Sequence, residues 1–494
     1  MKKLSLLIYM VITLLSLGCS KLLNKEPLGT LSESSAYVTA DDAMAALVAA
    51  YNPLLNYSGY DGYNIYDIAS DDALKGGEGP SDGSYFNEIA YFTIPTSNTV
   101  ASQVWKNSFL GVHRANLVLA HVPAIEMDQN TKERILGEAK FLRAYYYFIL
   151  VTLFGDVPLI TTPDVESAGV ERSPKDNIYK LIREDLLAAI DVLPAKSKIL
   201  SDEKGRVTKG AAQAYLGKVF LYEKNFEEAA IWFKKVIDSN EYSLDPDYYH
   251  VFSIDGEFGK EPIFEINYKY DAKFSARNLS TIRMGSAGMY GYGFCCPSQD
   301  FVDAFEPGDP RLWQSVYKNG DIMPDGRIAD IGNSETPYMG KKAYLLLSEY
   351  PPTGDPINSE KNDIKLRYGM LLLWYAESAN ENGNIEEALN ALNQVRQRAR
   401  QGDPDVLPDV SVTDKETLRA KIWQEERVEY GLENHRFFDL VRQGRAGTVL
   451  RAYAAKYNSE KGKNFKDGIN EVLPIPQTEI DLSQGKLKQN LGYQ

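Results

Sequence analysis

Two stretches of the chain carry the side chains best suited to gripping a ligand. The first is "NYSGYDGYNIYDIASDDALKGGEGPSDGSYFNEI", with Tyr57, Tyr60, Tyr63 and Tyr66, then Asp71 and Asp72, then Tyr85, Phe86 and Asn87. The second is "GMYGYGF", with Tyr290, Tyr292 and Phe294, followed by Trp313. Aromatic faces presented from Gly-rich loops stack on the apolar C–H faces of a sugar ring, and Asn and Asp meet its hydroxyls. The candidate ligand-binding residues are therefore Tyr60, Tyr63, Asp71, Asp72, Tyr85, Asn87, Tyr290, Tyr292 and Trp313. Packing within the loops is the competing role for each aromatic.

Bond-breaking chemistry finds little support. The four histidines, His113, His121, His250 and His435, are scattered, and HExxH, Walker and CxxC motifs are all missing. Asp71 and Asp72 are adjacent, whereas a glycosidase needs carboxyls about 5–10 Å apart across the sugar. The reading is of a protein that is not an enzyme and needs no cofactor. "DIASDD" could supply oxygens to Ca²⁺. A net charge of −14 argues against a nucleic-acid partner.

The N-terminus reads as a targeting segment: Lys2 and Lys3, an apolar run Leu4–Leu17, then Gly18 and Cys19. This arrangement resembles a lipoprotein signal over residues 1–18, with Cys19 the lipid attachment point. Ser16, where leucine is usual, departs from that pattern, and an ordinary secretory signal or a membrane anchor are the alternatives. Cys295 and Cys296 can be two free thiols or a strained vicinal disulfide.

The elements that must position these residues are mostly helical. "AYYYFILVTLF", residues 144–154, is too short to span a membrane and stops at Gly155, so it predicts a buried helix. Residues 214–237 and 371–396 share a tetratricopeptide-like layout. Leu216, Gly217 and Phe220 precede Ala229, Phe233 and Val236 in the first; Ala388, Leu392 and Val395 repeat the second half. Gly217 and Ala229 predict close helix approach. Residues 132–154 with 176–193 predict another pair. Trp105 lies in an amphipathic helix and reads as core, and "PIFEINYKY" reads as a short strand.

Four further stretches carry a resemblance: "EAKFLRAYYYFILVTLFGDVPLI", "GDPRL", "EERVEYGLENHRFFDLVRQGRA" and "VLPIPQTEIDLSQGKLKQNLGY". In this order, after a lipoprotein-like signal, the chain resembles the SusD/RagB family of Bacteroidetes outer-membrane nutrient-binding lipoproteins. The resemblance implies a mainly α SusD-like fold with four irregular TPR-like helix pairs and a variable loop-rich subdomain containing short strands. It would occupy residues 19–494, with a helical scaffold about 40–55, 101–239 and 362–445 and ligand-binding loops about 56–100 and 240–360. It implies capture of an oligosaccharide or polysaccharide at the cell surface, from an outer-membrane lipid anchor, and delivery to a SusC-like TonB-dependent transporter. A RagB-type peptide binder and a TPR assembly scaffold are the alternatives. In the third stretch, Glu433, Arg436, Asp439 and Arg442 alternate in charge at spacing three, which predicts one charged face if the helix is continuous. Apolar Phe437, Phe438, Leu440 and Val441 between them predict a partly buried structural network. Arg143 reads as a pairing residue.

Overall fold

The computed structural model describes residues 36–58, 65–163, 170–270 and 276–493. The fold is mainly helical, with strands confined to two-stranded ladders. α1 (Ala40–Tyr51) starts at Thr39, whose hydroxyl and Asp42 form a reciprocal capping box. α2 is the short helix Ser84–Ala90. Asn98 caps α3 (Thr99–His121), and Asp128 caps α4 (Gln129–Phe154), in each case by accepting from a backbone N–H three residues on. α4 ends where predicted, at Gly155, whose φ of +70° suits glycine.

α5 (Lys175–Val192) packs along α4, which also packs on α3. Arg143 pairs with Asp185 of α5 at 2.7 Å and donates to Asn116 of α3 at 2.9 Å, so the expected pairing residue ties three helices. α6 (Lys209–Tyr222) and α7 (Phe226–Asp238) form the first tetratricopeptide-like pair. A Cβ on Gly217 would lie 2.6 Å from the Phe233 ring, which is the close approach read from the sequence. α8 (Tyr368–Glu381) and α9 (Ile385–Ala399) form the second such pair, and α7 packs on α8. Trp105 is buried in the core against Phe109 and Phe154.

The predicted charged face from Glu433 to Arg442 does not exist as one helix. α10 (Lys415–Tyr430) stops before Gly431, and Leu432 and Asn434 both adopt φ of +63°. α11 (Arg436–Arg442) then begins afresh, followed by α12 (Ala446–Tyr457). The break sends the charges in different directions, each into a buried pair. Glu429 faces Arg311, Arg367 and Arg398, while Glu433 takes Arg367 and Lys342. Arg442 bridges Glu377 and Asp439. Burial raises the Glu429 carboxyl, yet Arg398, Arg367 and Arg311 together hold it well below the usual carboxylate range. The stretch is the electrostatic hub of the fold, as its mixed charged and apolar composition suggested.

The other resembling stretches also knit the structure. In "GDPRL", Asp309 grips the fully buried Arg311 at 2.8 Å. In the last, Leu473 N–H donates to Leu153 O, and Asn490 donates to Phe154 O, which fastens the C-terminal segment to the end of α4.

The strands lie mainly in residues 240–370. β1 (Ala73–Gly76) pairs antiparallel with β5 (Phe294–Pro297), and β2 (Val157–Pro158) pairs with β3 (Arg172–Ser173). β4 (Pro262–Ile266), the predicted strand, pairs with β8 (Asp363–Arg367) across register shifts. β6 (Val316–Lys318) pairs with β7 (Tyr338–Gly340). Cys295 and Cys296 are both free and buried. They alternate across β5, Cys295 into the main core and Cys296 into a smaller cluster with Tyr317, Met339 and Tyr344.

Candidate functional site

The β1–β5 ladder brings the two aromatic stretches together. Gly76 stands opposite Phe294, and Gly77 N–H donates to Gly293 O at 2.8 Å. The approach demands glycine: a Cβ on Gly76 would lie 2.1 Å from Gly293 O, and its φ is +73°. Phe294 packs edge-on to Phe86, which packs on Tyr85 with ring centroids 4.7 Å apart. Tyr292, two residues before β5, is 44% exposed. Trp313, three residues before β6, is 45% exposed. β7 pairs with β6 and packs on β5, so one patchwork of strands carries both rings. They are the aromatic members of the exposed large apolar side chains among the described residues. The Lys318 ammonium lies 5.0 Å from the Trp313 ring centroid.

Beside this ladder opens a cleft of about 330 Å³, lined by Asn87, Tyr91, Gln299, Glu335, Tyr453 and Tyr457. That size lies within the range of small-molecule sites, about 300–1,000 Å³. Its aromatic wall comes from α12: Tyr453 and Tyr457 are four residues apart on one helix face, ring centroids 4.9 Å apart. Burial pushes both hydroxyls up. The opposite wall is β1 and α2, and Glu335 closes the rim by accepting Gly76 N–H at 2.8 Å. Asn87 is part-exposed and donates to Pro80 O at 3.2 Å. Gln299 accepts from the Tyr338 hydroxyl at 3.1 Å.

The remaining expected site residues divide sharply. Tyr85 is partly buried and packs on Phe86. Tyr60, Tyr63 and Cys19 lie outside the described residues. Tyr290 is corrected from a stacking platform to a packing residue. It is partly buried, edge-on to Tyr344 and Tyr350, with its hydroxyl accepting Leu345 N–H at 2.8 Å.

Asp71 and Asp72 are corrected as well. Both are buried, at 1% and 0% exposure, and face guanidinium groups rather than a ligand. Arg436 binds Asp71 through two nitrogens at 2.8 and 2.9 Å, and Arg427 reaches Asp71, Asp72 and Asp300. Against the cost of burial, Arg436 and Arg427 hold Asp71 below the usual carboxylate range. Burial raises Asp72, and it pushes the neighbouring Asp67 up to about 8 with help from Asp72. With Asp71 and Asp72 already engaged by arginine, "DIASDD" offers poor ligands to Ca²⁺, and no group of acids, His or Cys is arranged for a metal among the described residues.

Sequence reasoning missed Tyr91, Glu335, Tyr453 and Tyr457. The Tyr-x-x-x-Tyr spacing just before Asn458 was the available signal, hidden because i,i+4 tyrosines usually denote core.

Comparison with known proteins gives this surface a context. A family model described as "SusD family" matches residues 260–493, and one described as "Starch-binding associating with outer membrane" matches residues 80–221. The chain belongs to the SusD family. Among family relatives, SusD-like protein P2 of Formosa agariphila is 26% identical, over 98% of this chain and 99% of its own. A solved laminarin-binding SusD-like protein superimposes with a TM-score of 0.80 at 29% identity, covering 92% of this chain and all of that one. Surface glycan-binding protein A from Bacteroides fluxus gives 0.79 at 26% identity, with the same coverage. The SusD-like matches thus extend over the helical scaffold and the strand patchwork alike. Glycan binding is the activity carried by the names of the two solved structures, and the outer membrane is the location in one family description.

Proposed function

We propose that the protein is a non-catalytic, lipid-anchored surface protein that captures an oligosaccharide and passes it to a SusC-like TonB-dependent transporter. The observation that carries this reading is the pair of exposed rings, Tyr292 and Trp313, on segments leading into the strand patchwork, together with the Tyr453–Tyr457 cleft. Stacked rings and side-chain amides bind sugars without moving a proton or making a covalent bond. The similarity to proteins named for laminarin and surface glycan binding supports the same reading. Lipid anchoring rests on Cys19 after its apolar run, and delivery to a transporter on family membership.

Isothermal titration against a panel of neutral polysaccharides and peptides tests the proposal. Tyr292→Ala and Trp313→Ala are each expected to weaken glycan binding about fivefold, since a stacking contact contributes about 1 kcal/mol. A peptide that binds where every glycan fails would overturn it. Release of the Cys19→Ser protein from the membrane fraction, and protease shaving of intact cells, check anchoring and exposure separately.

A further inference from the structure

The charged groups around the cleft allow its ligand class to be narrowed. This step rests on the glycan-binding reading above. Two lysines line the cleft, and both are buried and bonded to backbone carbonyls. The Lys75 ammonium donates to Gly76 O, Asp82 O and Gly79 O at 2.5, 2.6 and 3.0 Å, which uses all three of its hydrogens. The buried Lys461 ammonium donates to Ile68 O and to Ala73 O, the latter at 2.7 Å. Both amines are therefore clamps on the backbone that forms the cleft wall.

The other nearby cations are paired with carboxylates. Lys456 holds Asp300 at 2.7 Å, Lys463 holds Glu460 at 2.8 Å, and Arg427 is shared among Asp71, Asp72 and Asp300. What the cleft turns toward solvent is the Glu335 carboxylate at its rim. The field of these acids reaches the aromatic wall. The Tyr91 hydroxyl is pushed up by burial and then by Glu335 and Glu460, and Glu335 also contributes at Tyr453.

We propose that this cleft selects neutral glycans and discriminates against sulfated or uronate-bearing ones, with Glu335 as the discriminating residue. A sulfate or carboxylate entering here would meet the exposed Glu335 carboxylate, whereas the Lys75 and Lys461 ammonium groups, though still charged, are buried and held by backbone carbonyls. At a few ångströms across a partly wet surface that repulsion corresponds to about a tenfold loss of affinity.

The test uses the full folded protein and four neutral probes, laminarin, soluble starch, arabinan and galactan, each also in a chemically sulfated preparation. For whichever probe binds, the sulfated form is expected to bind about tenfold more weakly, and Glu335→Gln is expected to shrink that gap to about threefold. Because Glu335 is exposed, circular dichroism of the variant should match the parent. High salt, near 1 M, should narrow the gap in the parent protein by screening. Equal or tighter binding of the sulfated form would overturn the inference, as would a gap that Glu335→Gln leaves intact. Failure of every probe, neutral and sulfated, would instead remove the glycan-binding reading beneath it.

Discussion

Glu429→Gln separates a structural role from a ligand-binding role for "EERVEYGLENHR". In the native protein the Glu429 carboxylate meets Arg311 at 3.0 Å, Arg367 at 2.7 Å and Arg398, all of them at 4% exposure or less. Breaking a buried ion pair by removing one charge costs about 3–5 kcal/mol, since the partner is left buried and under-compensated. Here the partners keep other acids: Asp309 and Glu425 on Arg311, Glu261 on Arg367 and Arg398. The loss should therefore fall at the lower end, about 3 kcal/mol. For a chain of this size that lowers Tm by about 3 °C in differential scanning calorimetry. The pH dependence carries a sign. The folded pKa is depressed, so the contribution is complete above the unfolded value near 4.3 and is lost only as pH falls toward the folded one. The gap between parent and variant should be flat from pH 8 to about 5 and shrink below about 4. Glycan affinity should change by less than about twofold. A Tm within about 1 °C of the parent, or a stable variant that has lost its glycan, would refute the structural assignment.

Two further outcomes are expected. Burial and Asp72 raise Asp67 to about 8, so the parent's stability relative to Asp67→Asn is greatest below about pH 4 and lost as pH rises to about 8. Urea midpoints of the two proteins across that range should diverge in this sense, and a constant difference would contradict it. In a Cys19→Ser protein, Cys295 and Cys296 should resist a thiol reagent in the native state and both react in denaturant without a reductant. A thiol that appears only after reduction would reveal a bridge.

The helical scaffold was legible because its signals are local. Glycine at 155 and the tetratricopeptide spacing around Gly217 each act within a few residues of themselves. The ends of the ion pairs were not legible for the opposite reason. Asp72 finds Arg427 and Asp71 finds Arg436 across 355 and 365 residues, and nothing near "ASDD" announces a guanidinium. Two exposed acids and two neutralised buried acids look alike in sequence. The interruption at Gly431 could have been suspected from Gly and Asn in "YGLEN", but the charge period ran through it. Tyr292 and Tyr290 are two residues apart in one glycine-rich loop, yet one ring is exposed and the other packs against Tyr344. Only tertiary placement separates them. The cleft drew its other wall from a helix more than 300 residues away from Asn87, beyond the reach of any motif.

The buried acid–arginine pairs have an evolutionary consequence. Asp71 and Asp72, through Arg427 and Arg436, and Arg311, through Glu425 and Glu429, fix the roots of the ligand-facing loops to the scaffold. The exposed rings of Tyr292 and Trp313 take no part in those pairs. Mutation can therefore retailor a tip at small thermodynamic risk, because the lock that orients the loop is elsewhere. A lineage moving to a new food source needs to rewrite only a handful of exposed rings and amides. The same layout offers a graft site: tips exchanged between anchored roots should carry specificity with them.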